Sequence, residues 1–303
     1  MQKIKIYISL ILVMVIWGAT FVSIKILVQF FHPITLTALR ISLAAICLVC
    51  FLYLRKKLTK LTLQTWKWVL LASVFGVILH HLFLSIGLSG TSSVKGSIIS
   101  GFSPLLTVLL SILVGYAKFK ISNIIGFLLG TVGMILAVTA GQSIDYAVNQ
   151  GDVFIFLSFL SQAISFIIIR RLSNEMETIV ITCYMLCLGA VFLAVTSIIV
   201  LPNGFGKLLE VPLWVILLVI GTSVLAISVG HTVYNLSIAK VGPAETAIIG
   251  NFNVIFALIF SLILLKEPII LSQLLGMCLI LVGVLLGTGA LQKIVLSIKQ
   301  KFN

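Results

Sequence analysis

Inside otherwise apolar runs of this chain, polar side chains recur at helical spacing, and their chemistry needs a reason. Ser158, Ser161, Gln162 and Ser165 follow an i, i+3, i+4, i+7 pattern, and Ser228, His231, Tyr234 and Asn235 form a second stripe. Asn251 and Asn253 follow, with Glu245 two turns earlier, and His80, His81, Lys95, Ser97, Ser100 and Ser103 hold the corresponding place in the first half. Trp17 and Thr20 share a face of the first run with Val13 and Ile16. Hydroxyls, amides and a tryptophan suit the binding of a small polar molecule, and the histidines add a group able to take up a proton near neutrality. A plainer reading stands beside each. A serine satisfies its own helix, an asparagine or glutamine bridges two helices, and a long cation such as Lys95 reaches for an interface. Lys25 and Arg40 read as interfacial or structural.

Other chemistries find less support. Gly87-Leu88-Ser89-Gly90 matches the G-x-S-G string of rhomboid-like intramembrane proteases, with His231 as an imaginable base. Its serine falls in a turn, where Gly and Ser are common anyway. Cys47, Cys50, Cys183, Cys187 and Cys278 are odd in number and lie in apolar stretches, a poor setting for a disulfide scaffold or thiolate metal ligands. No nucleotide loop or metal motif is present, so no catalytic residue, metal or cofactor is expected.

The elements that must hold these residues follow from composition. Of 303 residues 61% are apolar and 9% charged, with a mean hydropathy of +1.29, which excludes a soluble globular or disordered class. A crossing helix needs about 20 apolar residues. Runs of that length predict ten spans, at 6–28, 34–54, 68–88, 93–115, 121–140, 152–170, 178–201, 213–236, 244–265 and 269–290. The runs are continuous rather than alternating, so the fold class expected is an all-α, multi-pass membrane protein, not a barrel. The net charge of +13 would suggest nucleic acid in a soluble protein. Here position explains it. Lys3, Lys5, Arg55, Lys56, Lys57, Lys60, Lys67, Lys118, Lys120, Arg170, Arg171, Lys240, Lys293, Lys299 and Lys301 all fall on one side of a ten-span scheme, against Lys207 and Lys266 on the other. That bias predicts the cell membrane, both termini cytoplasmic and no nucleic-acid partner.

Shifting the second half by 150 aligns 73–140 with 223–290 without a gap, matching His81 with His231, Phe102 with Phe252, Ser111 with Ser261, Gly126 with Gly276 and Gly133 with Gly283. A polar connector, Gly141–Gly151, separates five spans from five. Two units, 1–145 and 146–303, each with an odd number of crossings, must enter the membrane from opposite sides. Such an inverted repeat predicts alternating access with a midplane site between the halves. The shift sets His81 and His231 on either side of that midplane, and Lys95 and Glu245 near opposite mouths, as candidates for gating or coupling. Gly126-x-x-x-Gly130 and Gly283-x-x-x-Gly287, on helices nearly free of polar side chains, read as packing patches through which a homodimer could form.

Trp17-Gly18-Ala19-Thr20-Phe21 resembles the W-G-x-x-F of the first helix in EamA-type permeases of the drug/metabolite transporter superfamily. Pro33…Arg40 is similar to the opening of their second helix, and Ser103-Pro104-Leu105-Leu106 and Leu265-Lys266-Glu267 to the Pro-to-Glu pattern of each repeat's fourth. The departures are Ala117 in place of the family's Glu and Val254 in place of its Pro, so helix nine is expected to be straighter than helix four. The resemblance implies a secondary transporter of a small polar, amino-acid-like metabolite, by export or exchange. The residues expected to meet that substrate are Trp17, Thr20, His81, Gln162, Ser165, His231, Tyr234, Asn251 and Asn253. A lipophilic-cation exporter is the alternative, disfavoured because no Asp or Glu lies mid-span.

Overall fold

A computed structural model describes residues 2–139, 149–241, 246 and 249–290. Among them no strand occurs. Eight helices are long and apolar enough to cross a membrane: α1 (Gln2–Leu27), α2 (Pro33–Leu54), α3 (Leu63–Gly90), α4 (Ser93–Leu113), α5 (Ile121–Thr139), α6 (Gln150–Leu172), α7 (Thr178–Val200) and α8 (Leu213–Val241). Two shorter apolar helices follow, α9 (Phe252–Leu265) and α10 (Leu271–Gly287). Most of the 141–151 connector, Glu245 and residues beyond 290 lie outside the described residues.

Local chemistry sets the boundaries. Pro33 opens α2, where its missing N–H would be unpaired anyway. Asn149 and Asp152 cap α6 reciprocally, each side chain accepting from the other's backbone N–H at 2.9 and 3.1 Å, while Arg170 and Arg171 sit at its negative end. Arg171 lies 4.2 Å over the Trp68 ring and Lys57 pairs with Glu177 at 2.8 Å. The basic turns after α2, α4 and α6 thus gather at one end of the bundle.

Four irregularities recur at the spacing of the sequence repeat, and a further π turn, Ser261–Leu265, ends α9 without a counterpart in the first half. Wide π turns run through Val74–Leu79 of α3 and Thr222–His231 of α8. Helix α4 breaks at Gly101, and the chain turns again at Asn251, 150 residues on, just before α9. The expectation that Val254 would leave this second helix straighter is therefore corrected. Pro104 sits in the first turn of the half-helix that follows the break, a position that tolerates proline rather than one that makes the kink.

Of the two uses expected of the glycine patches, packing or dimer formation, the structure shows packing within the chain. Gly126 packs against the backbone of Gly283 and Gly287, and Gly133 against that of Gly276, so α5 and α10 meet at backbone distance within one chain. These faces are not open to a second copy. The opposite side of α5, with Leu128, Val132 and Ile135, is exposed and suits lipid.

Candidate functional site

The irregularities surround a central cavity between α1, α2, α3, α4, α6, α8 and the turn before α9. Each π turn ends on a histidine that reaches it: His80 caps the first, and His231 closes the second. Wide turns of this kind are often found at functional sites, because the extra residue rotates the following side chains out of register.

Three imidazoles stand together. The rings of His80 and His81 lie 4.7 Å apart, His81 and His231 5.3 Å, His80 and His231 6.3 Å. His80 is held on both sides: its Nδ1 is 2.8 Å from Ser158 Oγ, and Gln162 Nε2 donates to its Nε2 at 3.0 Å. His81 Nδ1 is buried with no hydrogen-bond partner among the described residues. The Trp17 ring lies 5.2 Å from that of His231 and 5.0 Å from that of Tyr234, tilted against both, and its Nε1 donates to the Ala226 carbonyl at 2.9 Å. Gly230 makes room for that indole, since a Cβ there would lie 2.6 Å from Trp17 Nε1.

Of the residues singled out in the sequence, Trp17, Thr20, His81, Gln162, His231, Tyr234, Asn251 and Asn253 all line this cavity. Ser165 does not. It lies in a smaller space behind the histidines with Thr182 and Asn235, and its hydroxyl donates to the Ala72 carbonyl at 3.1 Å. Lys95 is also elsewhere, buried at the far end of α4 and 3.8 Å from the carboxylate of Asp152. Sequence reasoning set Arg40 aside as interfacial or structural. It is 1% exposed, lines the cavity, and donates through Nε to Thr222 Oγ1 at 3.1 Å. Its place about two turns inside an apolar helix was the available signal, because a charge at that depth in lipid is costly unless it has a role. Phe21 and Phe159 complete an apolar wall. Ser89 of the G-x-S-G string is exposed, and its hydroxyl donates to the Ile86 carbonyl at 2.7 Å; His231, the imagined base, lies in the cavity instead.

Comparison with known proteins agrees with this arrangement. The model of the EamA-like transporter family matches residues 4–139 and again 149–288. The chain belongs to that family. Its relatives include the uncharacterized transporter YyaM of Bacillus subtilis (strain 168), 27% identical, with 96% of each chain covered. The WAT1-related chloroplastic protein At3g02690 of Arabidopsis thaliana is 25% identical over 89% of this chain and 66% of its own. A solved crystal structure shares the fold, with a TM-score of 0.64 and 15% identity over 96% of this chain and 97% of the other.

In this EamA-like chain the two ends of the cavity differ. Beyond Phe21, Leu84, Ser100 and Phe159, one end is closed by polar ties between helices. Lys25 donates to the Leu88 and Thr91 carbonyls at 3.0 and 2.6 Å, Thr91 to Asp152, and Ser93 through N and Oγ to Glu267 at 3.2 and 2.8 Å. Toward the basic end, neighbouring cavities share Ser103, Pro104 and Tyr234, then Thr107, Ser111 and Arg170, and finish beside Lys118 and Lys120. Separate smaller cavities therefore lie between the central one and the basic turns, while polar ties cross the other end.

Proposed function

We propose that this chain is a secondary permease that moves a small polar, amino-acid-like metabolite across the cytoplasmic membrane by alternating access, as export or exchange. The observation that carries the reading is one central cavity, lined from both halves of the chain, with polar ties between helices at one end and further cavities toward the basic turns at the other. The two successive family matches, and the π turns and helix breaks recurring 150 residues apart, support ten spans in two inverted five-helix units divided near residue 145. A lipophilic-cation exporter is less well supported, because the cavity wall carries Arg40 and three histidines and, among the described residues, no carboxylate.

Transport is tested in proteoliposomes. Uptake should saturate and be accelerated by substrate on the opposite side, whereas flux that rises linearly with concentration would mean a channel. Exchange requires no added ion gradient, so counterflow should proceed equally with and without an imposed pH gradient. Uphill accumulation driven by that gradient in the wild type, and lost in His81→Gln with His231→Gln, would instead assign proton coupling to the histidines. Accumulation retained in the double variant would point to Glu245 as the carrier.

The charge bias supports both termini in the cytoplasm, with the turn between α7 and α8 outside. Leu209, 94% exposed in that turn, is a better reporter than the capping residue Asn149. In a background lacking the five native cysteines, Leu209→Cys should react with an impermeant maleimide on intact cells. Reaction only after lysis would invert the orientation.

A further inference from the structure

We propose that the central cavity selects a carboxylate with an aromatic-sized apolar body, holding its oxygens at Arg40 and Asn251, and that net anions bind more tightly than zwitterions or amines. The proposal rests on reading this cavity as the transport site, and it names the substrate class. Arg40 Nη1 and Asn251 Nδ2 are both buried donors without a hydrogen-bond partner among the described residues, on side chains 1% and 5% exposed that line the same space. An unanswered guanidinium N–H at this depth is costly, and a carboxylate supplies two strong acceptors for it and for the amide.

Three further observations point to negative charge. The second half of α4 and helix α9 both begin at the cavity, with Ser103 and Asn253 in their first turns, so two helix N-termini present N–H groups there, beside the one C-terminal end at Ser100. No described lining residue is an Asp or Glu, which leaves a substrate ammonium without a countercharge. The adjoining cavities carry Arg170 and then Lys118 and Lys120, basic groups that raise the local concentration of anions. Trp17, Phe21 and Phe159 supply the apolar wall that favours an organic anion over inorganic phosphate.

A divalent cation is the competing occupant, since nitrogens of His80, His81 and His231 lie within 4.8 Å of one another. Both ring nitrogens of His80 are already engaged by Ser158 and Gln162, however, and the Arg40 guanidinium shares the cavity.

The test is calorimetric titration of the purified protein, in buffer free of carboxylate and phosphate, with three molecules of one skeleton: phenyllactate, phenylalanine and phenethylamine. Phenyllactate should bind at least about tenfold more tightly than phenylalanine, with no binding by phenethylamine. Arg40→Gln should weaken phenyllactate at least about tenfold, and Arg40→Lys should recover part of that loss. If neither Arg40 variant folds, the wild-type ranking decides, supported by Asn251→Leu weakening the same ligand. Tighter binding of phenethylamine, of zinc or of inorganic phosphate, no binding by any of the three probes, or full affinity in a folded Arg40→Gln protein would each overturn the site. Carboxylate binding without counterflow would remove the transport reading and leave the site standing. Saturable counterflow of an amine would do the reverse.

Discussion

Trp17→Ala should lower the initial rate of substrate counterflow by at least about tenfold, equivalent to about 1.4 kcal/mol of lost differential binding, while the protein still folds. The indole sits where the two halves of the chain meet. It packs at a tilt against His231 and Tyr234, and its N–H donates to the Ala226 carbonyl inside the π turn of α8. A widened turn leaves backbone carbonyls without the usual partner four residues on, so this donor helps to hold the turn in shape. Removing the ring does three things together: it widens the cavity, frees the His231 and Tyr234 rings to move, and uncovers a carbonyl. Trp17→Phe keeps part of the ring contact and loses the N–H with one ring of the indole, and should fall between wild type and Trp17→Ala. Asn253→Leu, which replaces a cavity amide with an apolar group of similar size, should also abolish counterflow without loss of fold. Wild-type counterflow in a well-folded Trp17→Ala protein would remove the indole from the site.

Gly126→Leu should destabilise the bundle by about 1–3 kcal/mol or more, read as a lower midpoint of thermal unfolding in detergent. The side chain has nowhere to go. A Cβ at Gly126 meets the Gly283 carbonyl and the Gly287 backbone, and backbone does not yield as the end of a flexible side chain does. Separating α5 from α10 would also open the Gly133–Gly276 contact two turns along, so one substitution is felt over much of that interface. In lipid, where there is no hydrophobic force between helices, close packing of this kind is a main source of association. Gly221→Ala is the control, since no atom lies within 4 Å of a Cβ there. In the interior of α8 it should be neutral or slightly stabilising, by up to about 1 kcal/mol. A Gly126→Leu protein with an unchanged midpoint would mean that the glycine contact is not structural.

How much of this was legible in the sequence depends on the range of each interaction. Hydropathy is a local quantity, so the membrane class and most helix positions followed from runs of apolar residues. Helices α3 and α8 are longer than expected, at 28 and 29 residues: α3 begins five residues before its apolar run, α8 continues five residues beyond its own, and both carry π turns. Helical period is local too, and it placed Trp17, Gln162, His231, Tyr234, Asn251 and Asn253 on faces that do reach the cavity. The partner of a polar group is not local. Arg40 and Thr222 are 182 residues apart, and only their meeting shows that Nε is satisfied while Nη1 is not. The same holds for Lys95, whose separation from the cavity follows from its pairing with Asp152, and for the glycine stripes, which pack against each other rather than against a second chain. His81 and His231, 150 residues apart in the chain, have ring centres 5.3 Å apart, a meeting that no local pattern reveals. Composition and period determine which residues enter the membrane and on which helix face. What each buried polar group is paired with, and so whether it holds the fold or awaits a ligand, is decided only when distant helices come into contact.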